Sequence, residues 1–303
     1  SHMNPLAQLR IWKFGGLSPL ELLQRTHREF RDRQLSARCA QFAYYSMLGM
    51  MPLLIVIVIA IRYMPIEGVL NNFLGLLERT FPPATYEIFR NQILDVQQQD
   101  STTYIALGVV IFLYAGSRLF LTIGEGLNVA FGHPPRLRRV RTYWLSLVMT
   151  FSIALLMMLA LILLVIGPLA IEWIVQGLKL PLPESLSYHL FRWGIVTGFL
   201  LVLTSAIYYF VPAHGLPWRW FTPGTVFAVV GWTGASHVFR WYVANYARYN
   251  QIYGTLGGVV AVLLWLYLAG AILFIGAQIK GIIYEAIQQT AQTKPSRERL
   301  PPQ

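Results

Sequence analysis

Between Arg248 and Lys280 the chain reads YNQIYGTLGGVVAVLLWLYLAGAILFIGAQI, residues 249–279, with no Asp, Glu, Lys or Arg. A helix needs about 20 apolar residues to cross the ~30 Å hydrocarbon core of a bilayer, so this run is long enough. It is continuous and does not alternate polar with apolar, as a barrel strand would. Similar uncharged runs recur at Cys39–Ile61, Ser101–Ser117 (extended through Arg118 to Gly124), Thr142–Ile171, Trp193–Trp218 and Trp220–Phe239. The pattern predicts six transmembrane helices near 39–62, 103–124, 143–171, 193–211, 222–240 and 255–280.

The composition agrees. Of 303 residues, 55% are hydrophobic and 12% charged, and the mean hydropathy is +0.51. A soluble domain carries about 25% charged residues. The deficit argues against a water-soluble enzyme, a disordered chain or a fibrous repeat. The predicted fold class is all-α: a polytopic membrane protein with six transmembrane helices, an amphipathic N-terminal helix and an extracytoplasmic helical hairpin between helices 1 and 2. Ser1-His2-Met3 reads as a cloning scar, and no cleavable signal peptide is expected, because the first apolar run starts only at Cys39. The expected organisation is a cytoplasmic N-terminal segment at 4–38, a membrane domain at 39–280 with the hairpin at 65–99, and a cytoplasmic tail at 281–303.

Lys and Arg set the orientation. The N-terminal segment holds seven, the second-to-third loop four, the fourth-to-fifth loop one and the tail four, against seven on the other side. Basic loops favour the cytoplasm, so both termini are expected there, in a bacterial inner membrane. Trp144, Trp173, Trp193, Trp218, Trp220 and Trp241 fall near span ends, where aromatic belts form. The net charge of +11 fits basic inner loops and contact with anionic lipid head groups.

Two stretches outside the spans have helical patterning. Ser18-Pro19-Leu20-Glu21 has the form of a capping box with Pro at the first helical position. The helix that follows either lies on the inner leaflet or packs on the end of the bundle. In the long first loop, Ile66, Val69, Leu70, Phe73, Leu74 and Leu77 form one apolar stripe, Pro82-Pro83 breaks it, and Ile88, Phe89, Ile93 and Leu94 begin another. Arg136, Arg138, Arg139 and Arg141 cluster after the second span. They read as an orientation determinant in contact with anionic lipid, or as an attractor of anionic cargo. No RNA-recognition module surrounds them, so no specific nucleic acid is expected.

Arg118 is the one formal charge well inside a predicted span, and a charge there should face protein or water. Ser117, Arg118, Glu125 and Asn128 are candidates to line the inner end of a cavity, with snorkelling of Arg118 to the interface as the alternative. Tyr44, Tyr45 and Gln278 are further candidate lining residues. Pro52 is a candidate hinge. Gly254, Gly257 and Gly258 are candidates for a hinge or for close packing, Gly254 and Gly258 having the G-x-x-x-G spacing. That Gly-rich span packs within the chain or across a homo-oligomer.

Three blocks carry a family resemblance: Ala43-Tyr44-Tyr45 through Pro52-Leu53-Leu54; Ser117-Arg118-Leu119-Phe120 with Asn128 and a following basic loop; and Ile252-Tyr253-Gly254-Thr255-Leu256-Gly257 leading to Leu264-Trp265-Leu266-Tyr267 and Gly276-Ala277. In this order they resemble the YihY/BrkB family of bacterial inner-membrane proteins, from about residue 36 to 283. The resemblance implies six membrane helices and cytoplasmic termini. Members have carried a ribonuclease BN label widely regarded as a misassignment. Others are linked to serum resistance, and one branch to export of lipopolysaccharide precursors. This chain departs from the family after Gly-Ala, with Gln278 and Lys280 where an acid and an Asn are common, so a role resting on that acid does not carry over.

The residues separate the function classes. A metal-dependent nuclease needs clustered carboxylates or His. The chain has three Asp (Asp32, Asp95 and Asp100), no H-x-x-x-H spacing, and Cys39 as its single cysteine. No metal, cofactor or catalytic set is therefore expected, and no Walker motif points to an ATP-driven pump. A transporter or translocase of an anionic lipid or amphiphile fits the intramembrane Arg, the basic loops and the Gly- and Pro-bearing helices. A membrane scaffold without transport activity is the alternative, and a ribonuclease the least supported.

Overall fold

The computed structural model describes residues 11–62, 69–80, 83–98, 102–133, 144, 146–152, 155, 184–212, 221–245 and 255–293. After a 3-10 turn at Phe14–Gly16 come α1 (Pro19–Asp32), α2 (Leu35–Arg62), α3 (Val69–Thr80), α4 (Pro83–Gln98), α5 (Thr102–Ala130), α6 (Glu184–Phe210), α7 (Pro223–Asn245) and α8 (Thr255–Thr293). No strand occurs among the described residues. The protein is an all-α, multi-span helical bundle. By length and composition, Leu35–Ile59, Ala106–Ala130 and Gly257–Thr290 are each able to cross a membrane, and α6 has a shorter apolar part at Thr197–Phe210. Of the expected third span, residues 146–152 are helical, and most of the rest lies outside the described residues.

Local chemistry explains the helix ends. The Glu21 amide donates to Ser18 Oγ at 3.2 Å, and the Ser18 amide donates to Glu21 Oε2 at 2.8 Å, closing the capping box ahead of α1. Gln34 takes a left-handed φ of 51° between α1 and α2. This interrupts the helix between α1 and α2, and α1 packs against the bundle end. Pro52 is buried inside an unbroken α2. Thr222 caps α7: its Oγ1 accepts from the Thr225 amide at 3.2 Å, and its carbonyl accepts from the Val226 amide at 2.9 Å.

α8 is the hub, packing on α2, α5, α7, α1 and α4. The central core joins Leu35 and Cys39 of α2, Phe120, Ile123 and Leu127 of α5, Ile207 and Tyr208 of α6, and Leu273, Phe274 and Ala277 of α8. A second cluster fastens Phe73, Leu77, Phe89 and Ile93 of α3 and α4 to Leu54, Val58 and Ile61 of α2. The two apolar stripes of the long loop thus pack on the far end of α2, and α4 also meets α8.

α8 does not stop where the apolar run stops. It continues past Lys280 to Thr293, with Ile282, Ile283 and Tyr284 buried against Ile11 and Leu22. Gly15, at φ 67°, permits the turn, and a Cβ there would lie 3.0 Å from the Ile283 carbonyl oxygen. α1 therefore packs on the bundle end through Leu22 and Thr26, while Leu20 and Leu23 remain exposed. Charges reinforce the seat. Arg25 Nη2 pairs with Glu285 Oε2 at 2.5 Å. Arg33 Nη1 donates to the carbonyls of Val129 and Ala130 at 2.9 and 3.0 Å, capping the end of α5.

Candidate functional site

α2 and α5 form an antiparallel pair in constant register. Arg38 pairs with Glu125, Gly49 stands against Ala115, and Gly108 stands against Ile55. That register sets Tyr45 level with Arg118 and Tyr44 one residue from the same level. Each helix turns about 100° per residue, so Tyr44 and Leu48 are set back from the contact line by one residue, as Tyr114 is from Ala115. Because the helices run in opposite directions, both offsets point to one side of the pair. Arg118 and Glu125, about 60° and 80° back from Ala115, share that side.

This side is open. Tyr44 is 60% and Tyr114 55% exposed, and Leu48, Leu107 and Ile111 are exposed beside them. The opposite side is closed: Phe42 meets Gly270, Phe274 meets Gly126, and Thr150 meets Gly116. From the end of the pair that carries Arg38, the open side presents the Arg38–Glu125 ion pair, then Gln41, Tyr44, Arg118 and Tyr114. Arg38 Nη1 also donates to Gln41 Oε1 at 3.0 Å. Tyr44 stacks edge-on against Tyr45 with centroids 5.2 Å apart. The Arg118 guanidinium sits 5.5 Å from the centroid of Tyr114, close enough for a cation–π contact. At 1.5 Å per residue, Arg118 is about 18 Å from Ala130 and about 24 Å from Thr102, so it lies near the middle of α5.

The expected foursome is divided. Arg118 and Glu125 share the open face, but two helical turns apart, and the carboxylate of Glu125 takes Arg38 as its partner. Ser117 is buried and donates to the Leu113 carbonyl at 2.7 Å. Asn128 is fully buried. Gln278 is fully buried in α8, and neither amide atom has a hydrogen-bond partner among the described residues. Gly258 is buried and Gly257 partly so. Gly254 lies outside the described residues, as do Arg136, Arg138, Arg139 and Arg141.

A second polar locus lies where α6, α7 and α8 meet. Tyr208, fully buried, donates to the Leu273 carbonyl at 2.6 Å. Lys280 is 2% exposed, and its Nζ lies 5.7 Å from the centroid of the Tyr208 ring. No carboxylate of the described residues pairs with it. The start of α7 closes the junction, with Thr222 and Thr225 fully buried and their hydroxyls 2.8 Å apart. Thr204 is also fully buried, and its hydroxyl has no hydrogen-bond partner among the described residues.

In the sequence Arg38 and Lys280 read as boundary charges that set orientation, because each stands at the margin of an apolar run. Arg38 directly precedes the first span, but nothing in the sequence pairs it with Glu125. The Thr222-Pro223-Gly224-Thr225 string does carry an N-cap signal, a Thr before a Pro at the first helical position.

Among the described residues, no three His, Cys, Asp or Glu come together to hold a metal ion. A family described as "Virulence factor BrkB" matches residues 26–301. The chain is 26% identical over 254 residues to "Putative ribonuclease-like protein YfkH" of Bacillus subtilis, covering 82% of this chain and 90% of that one. It is 28% identical over 266 residues to a "UPF0761 membrane protein" of Tolumonas auensis, covering 85% and 83%. A "UPF0761 membrane protein" of Vibrio campbellii is 24% identical over 293 residues, covering 93% and 89%. No solved structure matches the chain.

Proposed function

The chain belongs to the BrkB family of membrane proteins, and on that premise we propose that it moves an anionic lipid or amphiphile across the bacterial inner membrane. In this reading six helices cross the bilayer, both termini are cytoplasmic and the α3–α4 hairpin stands at the outer face. The observation that carries it is Arg118, a guanidinium midway along a membrane-length helix and beside an exposed Tyr114. A charge at that depth is costly in hydrocarbon unless protein groups, water or a ligand accompany it, and the Tyr114 ring is one such contact. Arg also suits phosphate, because its planar fork can donate two parallel hydrogen bonds.

The test is reconstitution into vesicles containing fluorescent phosphatidylglycerol, with dithionite quenching to follow transfer between leaflets. Wild type moves the lipid faster than empty vesicles do. Arg118→Ala lowers the rate by about tenfold, the order expected for losing one charge-assisted hydrogen-bond pair, while Arg118→Lys retains part of it. Unchanged movement in a folded Arg118→Ala protein takes Arg118 out of the pathway. Wild-type vesicles no faster than empty ones leave the scaffold reading.

A further inference from the structure

We infer that the open side of the α2–α5 pair is a lateral track for a phospholipid head group, on which the phosphate reaches Arg118 while the acyl chains stay in the bilayer. The inference rests on the proposed anionic cargo and adds where that cargo binds and how it approaches.

Three observations carry it. First, the polar groups on this side form a ladder and not a patch. Arg38 with Glu125, then Gln41, Tyr44 and Arg118 follow one another from the end of the pair toward its middle. The far half of the same side presents Leu48, Ile111 and Leu107, so the ladder ends near the middle of α5. Second, the ladder is not enclosed. Tyr44 and Tyr114 are more than half exposed, whereas the opposite side of the pair is filled by Phe42, Phe274 and Thr150. A solute entering from water needs an enclosed route through lipid, but a lipid does not, since its chains are already at home beside exposed Leu and Ile. Third, the charges suit a phosphodiester. Arg38 is already engaged by Glu125 at the bundle end, and Arg118 lies deeper, against an aromatic face that favours cations. An incoming phosphate can compete with the Glu125 carboxylate for Arg38 and then pass to Arg118, with Gln41 and Tyr44 as neutral hydrogen-bonding steps.

The test uses a phosphatidylethanolamine whose amine carries a maleimide, a lipid with one anionic phosphate and a thiol-reactive head. In a Cys39→Ala background, which removes the native thiol, single Cys are placed at Gln41 or Tyr44, and at Val230 as a control. Val230 is 64% exposed on α7, away from the track. The track predicts lipid adducts at Gln41→Cys and Tyr44→Cys about tenfold faster than at Val230→Cys, a gain lost when Arg118→Ala is added. Equal rates at all three positions overturn it. So does suppression of the Tyr44→Cys adduct by millimolar glycerol phosphate, which would make the ligand a soluble anion. A disulfide between two copies at Tyr44→Cys that excludes the lipid also overturns it, and would assign the face to a second chain. Adduct formation without lipid movement leaves the track standing and removes translocation. Movement without adduct formation removes the track alone.

Discussion

Gln278 is a polar residue in a buried site. Its amide is fully buried, and neither its donor nor its acceptor is satisfied among the described residues. A buried polar group left without a hydrogen bond costs about 1–3 kcal/mol. Gln278→Leu keeps the volume and removes the polar atoms. The variant is expected to be more stable than wild type by about that amount, raising the melting temperature in detergent. If the amide serves the lipid pathway, movement falls while stability rises. A lower melting temperature would mean that Gln278 has a partner in the folded protein.

The α1 element shows how much a cap contributes to an accessory helix. Ser18 and Glu21 satisfy each other's backbone, and Pro19 fixes the first turn. Ser18→Ala should destabilise α1 by about 1 kcal/mol, read as faster amide exchange across residues 20–25 with exchange in α5 unchanged. The same box is pH-sensitive. The Ser18 amide, and secondarily the Ser18 hydroxyl, hold the Glu21 carboxyl below the ordinary carboxylate range. A depressed acid contributes stability that is present above its unfolded pKa and lost as pH falls through its folded pKa. Amide protection of α1 should thus decline on acidification within the carboxylate range, and the decline should vanish in Glu21→Gln. An unchanged decline would place its cause outside this capping box.

Across the molecule, α8 gathers the other helices, and the α7–α8 seam is its tightest point. A Cβ at Gly224 would collide with the Gly276 carbonyl oxygen and crowd Lys280. Neither obstacle is the free end of a flexible chain. Gly224→Ala should therefore cost about 1–3 kcal/mol through overpacking and loosen α7. Gly75 in α3 has open space around it, and Gly75→Ala should be neutral or stabilising by up to ~1 kcal/mol from helix propensity alone. Thermal unfolding of the two variants side by side separates them. Equal effects would mean that α7 and α8 do not need this close approach.

The sequence by itself determined that apolar helices cross a membrane, that Ser18 opens a helix, and that Arg118 sits within a span. Each follows from composition or from neighbours along the chain. The apolar period of the long loop likewise foretold α3 and α4. Only the tertiary structure decided that Glu125 takes Arg38, that Lys280 is buried beside Tyr208, and that α8 runs on to Thr293 beneath the N-terminal segment. The reason is geometric. Periodicity fixes the angle of a side chain about its own helix axis, but not the register of the neighbouring helix or the direction from which it packs. Those two quantities set which charges share a face and whether that face is open or covered.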